Sequence, residues 1–504
     1  MSARQRQACA RQRAGHEGFT LIELMISLVA GLMVAMAVMG VSREATNTFH
    51  EEVRVSGAEM SIRIAMERLR MDLQRAAFMS TGNITGDPLI ARAANLASGT
   101  LPYLSNVVTG TPIVAPLTTL SGVLIRPGGA SVLTQVGTDT ANGLVPDQID
   151  IGGNLSSSDE YVASVLWPTK GVVTGCPTGL AISLQMNSPA AGRIVAAESL
   201  AGNTGSALAG IFHPGPSLSS QFLVRVTDQS GRYQYAVTAA GGANKGTTYY
   251  TAPAGTTPPV ALICLDLKWS ILMSSQTGGL GGVSGFGAGW VVVSPVEVVR
   301  WDIQTYAAAT TAMNSAVGAL AVPSTTYAYA ATAAVPTSEY VLTRSYVDFS
   351  SSAATPTDPL TMEIIAEYAV DMKFGMTIDH SALCTAFPCP TAAPAYSGSA
   401  SPLISIPAGD TVDMATYATY LTPAAPYAVN FGPQRIRDVE VRLGVRSQFA
   451  DRSLNIAPSD AGVGGYLYRY WLPGSGSGST ALNYARVREN TSQVNLPNQA
   501  RFYF

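Results

Sequence analysis

Residues Gly18 to Ser42 read GFTLIELMISLVAGLMVAMAVMGVS, and the rest of the chain has to be read around this stretch. From Phe19 to Ser42 it carries one formal charge, Glu23, and no proline. An α-helix crosses the hydrocarbon of a bilayer with roughly 20 apolar residues at about 1.5 Å each, so the run is long enough. In front of it stand Arg4, Arg6, Arg11 and Arg13 against the single carboxylate of Glu17. Such a basic end stays in the cytoplasm while the remainder is exported. The leader, the apolar run and the small-x-small step Ala35-Met36-Ala37 also fit an ordinary secretory signal. Two details oppose that reading: the run outlasts a typical signal core, and a carboxylate stands near its start.

Beyond Arg43 the pattern stays helical and free of proline to about Ser80. Ile62, Met66, Leu69, Leu73 and Ala76 form one stripe at three- and four-residue steps, and Met60, Ile64, Met71 and Phe78 fall roughly opposite. Glu59/Arg63, Arg63/Glu67 and Arg68/Asp72 stand at i,i+4 spacing, each such pair worth about 0.2–0.5 kcal/mol. Gly82 is the expected stop, with Pro88 beyond it. Two apolar sides call for two partners: the globular domain's own sheet for one, a neighbouring subunit for the other. A helix sunk wholly into its own domain is the alternative. Gly31 and Gly40 fit two readings, a bend in the helix or close packing in the membrane.

After residue 80 the composition turns to Ala, Thr, Ser, Gly and Pro with short apolar runs. Strands are expected at 122–126, 148–151, 161–167, 181–186, 222–227, 233–238, 260–265, 290–303, 340–346, 362–377 and 436–446. The segment 362–377 also reads as partly helical. In the last run Val439, Val441, Leu443 and Val445 alternate with Asp438, Glu440, Arg442 and Arg446, giving one buried and one wet face. Loops are expected at 274–289, 307–337, 384–407 and 474–480.

The chain has Lys+Arg 30 against Asp+Glu 33 with no clustered positive patch, which argues against nucleic acid as a partner. Past the leader four cysteines remain, Cys176, Cys264, Cys384 and Cys389. An even number in an oxidising compartment fits two disulfides, with three connectivities open. The short step from Cys384 to Cys389, between prolines, suits a small closed loop and leaves Cys176 for Cys264; free thiols are the alternative.

No catalytic constellation stands out. His50, His213 and His380 belong to no zinc-peptidase motif, and the Gly-rich stretches match neither a phosphate loop nor a nucleophile elbow. His380, Cys384 and Cys389 read as disulfide chemistry before metal ligation. Asp147, Asp150, Asp159 and Glu160 form a loose acidic group, better read as solvated loop acids than as a calcium site. Tyr466, Tyr468 and Tyr470 share a strand face, for packing before glycan binding. Neither metal nor cofactor is expected, and no enzyme activity.

Gly18-Phe19-Thr20-Leu21-Ile22-Glu23, followed at once by the apolar helix, resembles the processing motif of type IV pilins and pseudopilins. The helix exit Arg68-Leu69-Arg70-Met71-Asp72-Leu73-Gln74-Arg75-Ala76, the step Asp147-Gln148-Ile149, the late Arg437-Asp438-Val439-Glu440-Val441-Arg442-Leu443 and Gln493-Val494-Asn495-Leu496-Pro497-Asn498 are similar to the large PilW-type minor pilins. Roughly half of the exported domain has no counterpart in that likeness.

The resemblance implies an α+β, pilin-like fold: a long N-terminal helix, membrane anchor then amphipathic half, packed on a large β-rich globular domain. Its parts would be a leader at 1–18, an assembly half at 19–42, an amphipathic half at 43–80 and a β-rich domain at 81–504, with a weak lobe boundary near 275–335. It further implies prepilin-peptidase cleavage after Gly18, methylation of the new N-terminus at Phe19, and an assembly role for Glu23 against a neighbour's terminal ammonium.

A domain of this length has a width of about 55–60 Å by the usual scaling, too wide for every subunit of a thin filament. The implied role is therefore a low-copy minor pilin of a tip or priming complex, held in the inner membrane with its domain in the periplasm before assembly. Partners would be other minor pilins, the major pilin and a large tip adhesin. A type II secretion pseudopilin and a pilin-anchored surface adhesin are the alternatives.

Overall fold

The structure is a computed structural model. It describes residues 20–84, 87, 89–90, 119–136, 142–166, 176, 181–201, 205–213, 220–239, 247–250, 260–266, 289–319, 339–350, 357–379, 403–420, 432–448, 469–472 and 484–499. Gly18, Phe19, His380, Cys384, Cys389, Tyr466, Tyr468 and the loop expected at 474–480 lie outside them, as does 274–288 of the first loop. The chain divides into two compact units, Met1–Ser56 and Gly57–Phe504.

One helix, α1, runs from Leu21 to Gln74. Its start is fixed locally: Thr20 Oγ1 accepts from the Glu23 amide at 3.3 Å, while Glu23 Oε2 accepts from the Thr20 amide at 3.0 Å. This reciprocal pairing satisfies backbone donors that the first turn would otherwise leave bare. The end differs from the expectation of about Ser80. The helix stops at Gln74, and Ala77 and Met79 take positive φ values of 58° and 49°. Left-handed backbone at a residue with a Cβ costs about 1–2 kcal/mol, so the surroundings must hold it. They do so through the Ala77 amide, which donates to Gly152 O at 2.7 Å, and the Asn154 amide, which donates to Phe78 O at 2.8 Å. Gly153 allows this approach: a Cβ there would lie 2.5 Å from Arg75 O. The docked end of β2, not Gly82, ends the helix.

Past Gly57 the unit is built on two antiparallel sheets. The larger, of 11 strands, contains β1 (Val123–Arg126), β2 (Gln148–Gly153), β3 (Tyr161–Leu166), β4 (Ala181–Leu184), β5 (Leu223–Thr227), β6 (Tyr233–Val237), β7 (Thr247–Tyr250), β8 (Val260–Cys264), β9 (Trp290–Thr305), β10 (Tyr340–Tyr346) and β11 (Glu363–Glu367). The smaller, in the order β13-β12-β14-β16-β15, contains β12 (Ala369–Asp379), β13 (Leu403–Ile406), β14 (Ile436–Arg446), β15 (Arg469–Trp471) and β16 (Tyr484–Asn495).

Strand β9 is the spine of the large sheet. Its first part pairs with β3 and β5, and its second part with β2 and β10. The stretch 275–335, read as a weak boundary, thus holds this spine, which belongs to both halves of one sheet. The segment 362–377 is extended, broken into β11 and β12 by Tyr368 with φ 59°.

Two expected loops contain regular structure. Tyr306–Ala319 is a helix, α5 in a series with α2 (Ser131–Val136), α3 (Pro189–Leu200), α4 (Ser206–Phe212) and α6 (Thr411–Tyr420). Its alanines carry high helix propensity but little hydrophobic contrast, so the period is faint; Ala309 and Met313 bury against Val341. Likewise Leu403–Ile406 pairs with the end of β12, Ile406 opposite Met376.

One core gathers the buried stripe of α1 with Ile149, Val299, Trp301 and Leu342 of the large sheet and Phe374, Val441 and Leu443 of the small one. A second lies where Ile194 of α3 and Leu208 and Phe212 of α4 meet Ile182, Ile263 and Val293. Val439, Val441, Leu443 and Val445 bury as their alternation requires. Arg446 departs from the wet face expected of it: it is buried, with its guanidinium over the rings of Tyr368 and Tyr470 at 4.8 and 5.4 Å. Planar guanidinium groups tolerate such stacking where an ammonium would need water.

Candidate functional site

Helix α1 is the element on which a function can be built, and each unit shows its own part of it. In the first unit Leu21 to Val41 expose every large apolar side chain, with Leu21 at 79% and Met39 at 77%. This is the one helix among the described residues long and apolar enough to cross a membrane. A surface apolar on all sides suits lipid or other apolar helices and does not suit water. Glu23, in the first turn, accepts from both the amide and the hydroxyl of Thr20. Its carboxylate therefore serves its own helix start, whatever else it meets.

In the second unit α1 is two-sided. Ile62, Met66, Leu69, Leu73 and Ala76 are buried in the main core, while Met60, Ile64 and Met71 are 53–61% exposed. The flanking charges are not spent along the helix as their spacing suggests. Asp72 turns away from Arg68 and into the core, where it accepts from Arg344 Nε at 2.8 Å and from Trp301 Nε1 at 2.9 Å. Arg68 reaches Glu363 at 3.4 Å, and Glu59 lies 3.6 Å from Arg488. Buried geometry outcompetes an i,i+4 pair here because Asp72 gains a guanidinium and an indole donor away from solvent. Burial works to lower the Arg344 pKa, but the hydrogen bond and charge of Asp72 outweigh it and raise it.

Glu297 of β9 lies beside this pair and lacks such a partner. It is 1% exposed; Ser156 Oγ donates to Oε1, and Oε2 has no hydrogen bond among the described residues. Burial pushes its carboxyl up to about 7, against the opposing hydrogen bond of Ser156 and charge of Arg344. Neither Arg344 nor Glu297 stood out as a site residue in the sequence. The signal for both was there, charged residues inside long apolar strands.

The acidic group expected in solvent is dispersed: Asp147 and Asp150 are buried, Asp159 is half-buried and Glu160 is exposed. Asp147 accepts from Lys373 Nζ at 2.8 Å and from the Phe374 amide at 3.1 Å, tying β12 to the entry of β2. Asp150 takes Arg300 at 2.7 and 2.9 Å and Arg126 at 2.6 Å. Burial works to raise its pKa, and the two guanidiniums outweigh it and hold the carboxyl below its ordinary value. Asp159 pairs with Arg193. Among the described residues no group of three or more His, Cys, Asp or Glu could hold a metal ion.

Arg126, Gln148, Arg300, Asp302, Gln304 and Thr343 line part of a cleft of about 310 Å³ on the other face of the large sheet. Its polar groups bind one another: the Ser131 amide donates to Asp302 at 2.9 Å, and Gln304 Nε2 donates to Thr343 Oγ1 at 2.9 Å. His213 is buried beside Ser220 O at 2.6 Å, and Tyr470 is buried.

Cys176 and Cys264 form a disulfide with Cα atoms 5.4 Å apart, closing a separation of 88 residues beside Ala181 and Leu262. This is the pairing left for those two cysteines once Cys384 and Cys389 are set aside.

Comparisons with protein-family models, with curated proteins and with solved structures give no match for this chain. A function must therefore be argued from α1 and the domain that carries it.

Proposed function

We propose that this chain is a non-catalytic minor subunit of a type IV pilus. The leader is removed after Gly18, Phe19 becomes the methylated start, and α1 serves first as membrane anchor and then as assembly helix. Before assembly the chain sits in the inner membrane with its β-rich domain in the periplasm. Afterwards it belongs to a tip or priming complex with other minor pilins, the major pilin and a tip adhesin.

One observation carries this reading. A single helix begins as an all-round apolar segment and ends with one face buried in the core and another left apolar and exposed. A cleaved secretory signal has no use for the second part, and a simple anchor has no use for the exposed stripe. Glu23 is the one charge in the apolar segment, and a carboxylate at that depth calls for a counter-charge when lipid is left behind.

The test is the mature N-terminus and the company it keeps. Mass spectrometry of the purified protein should find methylated Phe19, and Gly18→Arg should abolish cleavage. Glu23→Ala should insert and be cut yet fail to co-purify with other pilins. Recovery of a chain cleaved near Ala37 would overturn the proposal. A deletion strain that keeps its pili but loses protein secretion would move the subunit to a type II secretion system.

A further inference from the structure

The end of α1 rests over a buried carboxyl group that forms no ion pair among the described residues. Glu297 stands opposite Gly153 in the β2–β9 ladder, and Gly153 is the residue whose missing Cβ lets Arg75 O approach. It shares a strand face with Val299 and Trp301, the residues of β9 that meet the buried stripe of α1. The groups facing it are Asp72 from α1, Arg75 from the turn just after it, Arg344 and Tyr346 from β10, and Ser156 from the segment after β2. Arg344 is held by Asp72, and Arg75 donates to Leu155 O. The two nearby cations are thus engaged, while Asp72 adds a second negative charge to the same pocket. Glu297 Oε2 is left buried without a donor among the described residues. An ionised carboxylate in that position bears a desolvation cost and a like-charge repulsion that the protonated acid avoids.

We infer that Glu297 is a proton-dependent latch for the exit of α1. The seated helix end holds it as the neutral acid, and opening of that end lets it ionise in water. The inference is independent of the subunit's place in any assembly, because it concerns only the seating of α1 on its own sheet.

The sign comes from proton linkage. A carboxyl that ionises at about 7 when seated, against an ordinary value of 4.5, stabilises the seated state fully at acid pH. That stability is lost as pH rises through the interval between the two, and is constant above it. One linked proton changes the opening equilibrium about tenfold per pH unit inside the interval.

Hydrogen–deuterium exchange of the full chain in detergent tests this, with amides 69–78 followed from pH 4.5 to pH 8 and peptides of β14 as internal reference for the intrinsic rate. Relative protection of 69–78 should fall by about two orders of magnitude and then level off near pH 7. Glu297→Gln, neutral at every pH, should keep the acid-pH protection throughout. Ser156→Ala removes the hydroxyl that donates to Glu297, so it should move the levelling point to higher pH. A wild-type ratio that does not change with pH would overturn the latch. So would a Glu297→Gln protein that keeps the wild-type slope, or a Ser156→Ala midpoint that moves down. Should Glu297→Gln fail to fold, the Ser156→Ala shift decides alone.

Discussion

Two apolar stripes run along α1 past Gly57, and they meet opposite fates. Ile62, Met66, Leu69 and Leu73 are buried against both sheets, while Met60, Ile64 and Met71 face outward. The two are alike in residue type and helical spacing, so hydrophobicity alone does not separate them. What separates them is the polar anchor beside the first. Asp72 follows Met71 and precedes Leu73, and its bonds to Arg344 and Trp301 fix which way the helix is turned. A helix rolled the other way would leave a guanidinium and an indole donor buried without their acceptor.

The largest effect should come from breaking that anchor. Asp72→Ala strands a buried guanidinium and should cost about 3–5 kcal/mol, read as a shift of the chemical-denaturation midpoint of the purified protein. Near-neutral behaviour would mean the orientation is set by packing alone. Leu69→Ala attacks the buried stripe directly and should cost about 2–5 kcal/mol by the same measurement. Ile64→Ser, on the exposed stripe, should change stability within about 0.5 kcal/mol while, under the proposed function, weakening co-purification with the proposed partner subunits. A large loss of stability from Ile64→Ser would erase the distinction between the faces, and unchanged co-purification would remove the exposed stripe from the assembly surface.

Much of this was legible in residue order. The stripe Ile62, Met66, Leu69, Leu73 and Ala76 was set out by three- and four-residue spacing, and the alternating valines of β14 by period two. Both are local patterns that survive whatever the rest of the chain does. Legibility failed where a pairing was long-range. Asp72 had a plausible partner four residues away in Arg68 and a better one far along the chain in Arg344. Asp147 and Asp150 looked like loop acids until Lys373 and Arg300 came to meet them. Strand β13 was invisible because Leu403–Ile406 becomes a strand only through its neighbour β12.

The chain itself determined the long helix, its start at the Thr20–Glu23 box, its all-round apolar first part, and the β-rich character of the large region beyond it. Each depends on residues close in sequence, where propensity and period act without help. Tertiary structure alone decided where α1 ends, which of its faces is buried, and which buried acids receive a cation. Those outcomes turn on desolvation and on hydrogen bonds between residues far apart in the chain, as Ala77 is from Gly152 and Asp72 from Arg344. Glu297 belongs wholly to this second class: in the sequence it is one acid in a strand, and only the closing of α1 over β9 commits the nearby Arg344 and Arg75 to Asp72 and Leu155 O and leaves Glu297 Oε2 without a donor among the described residues.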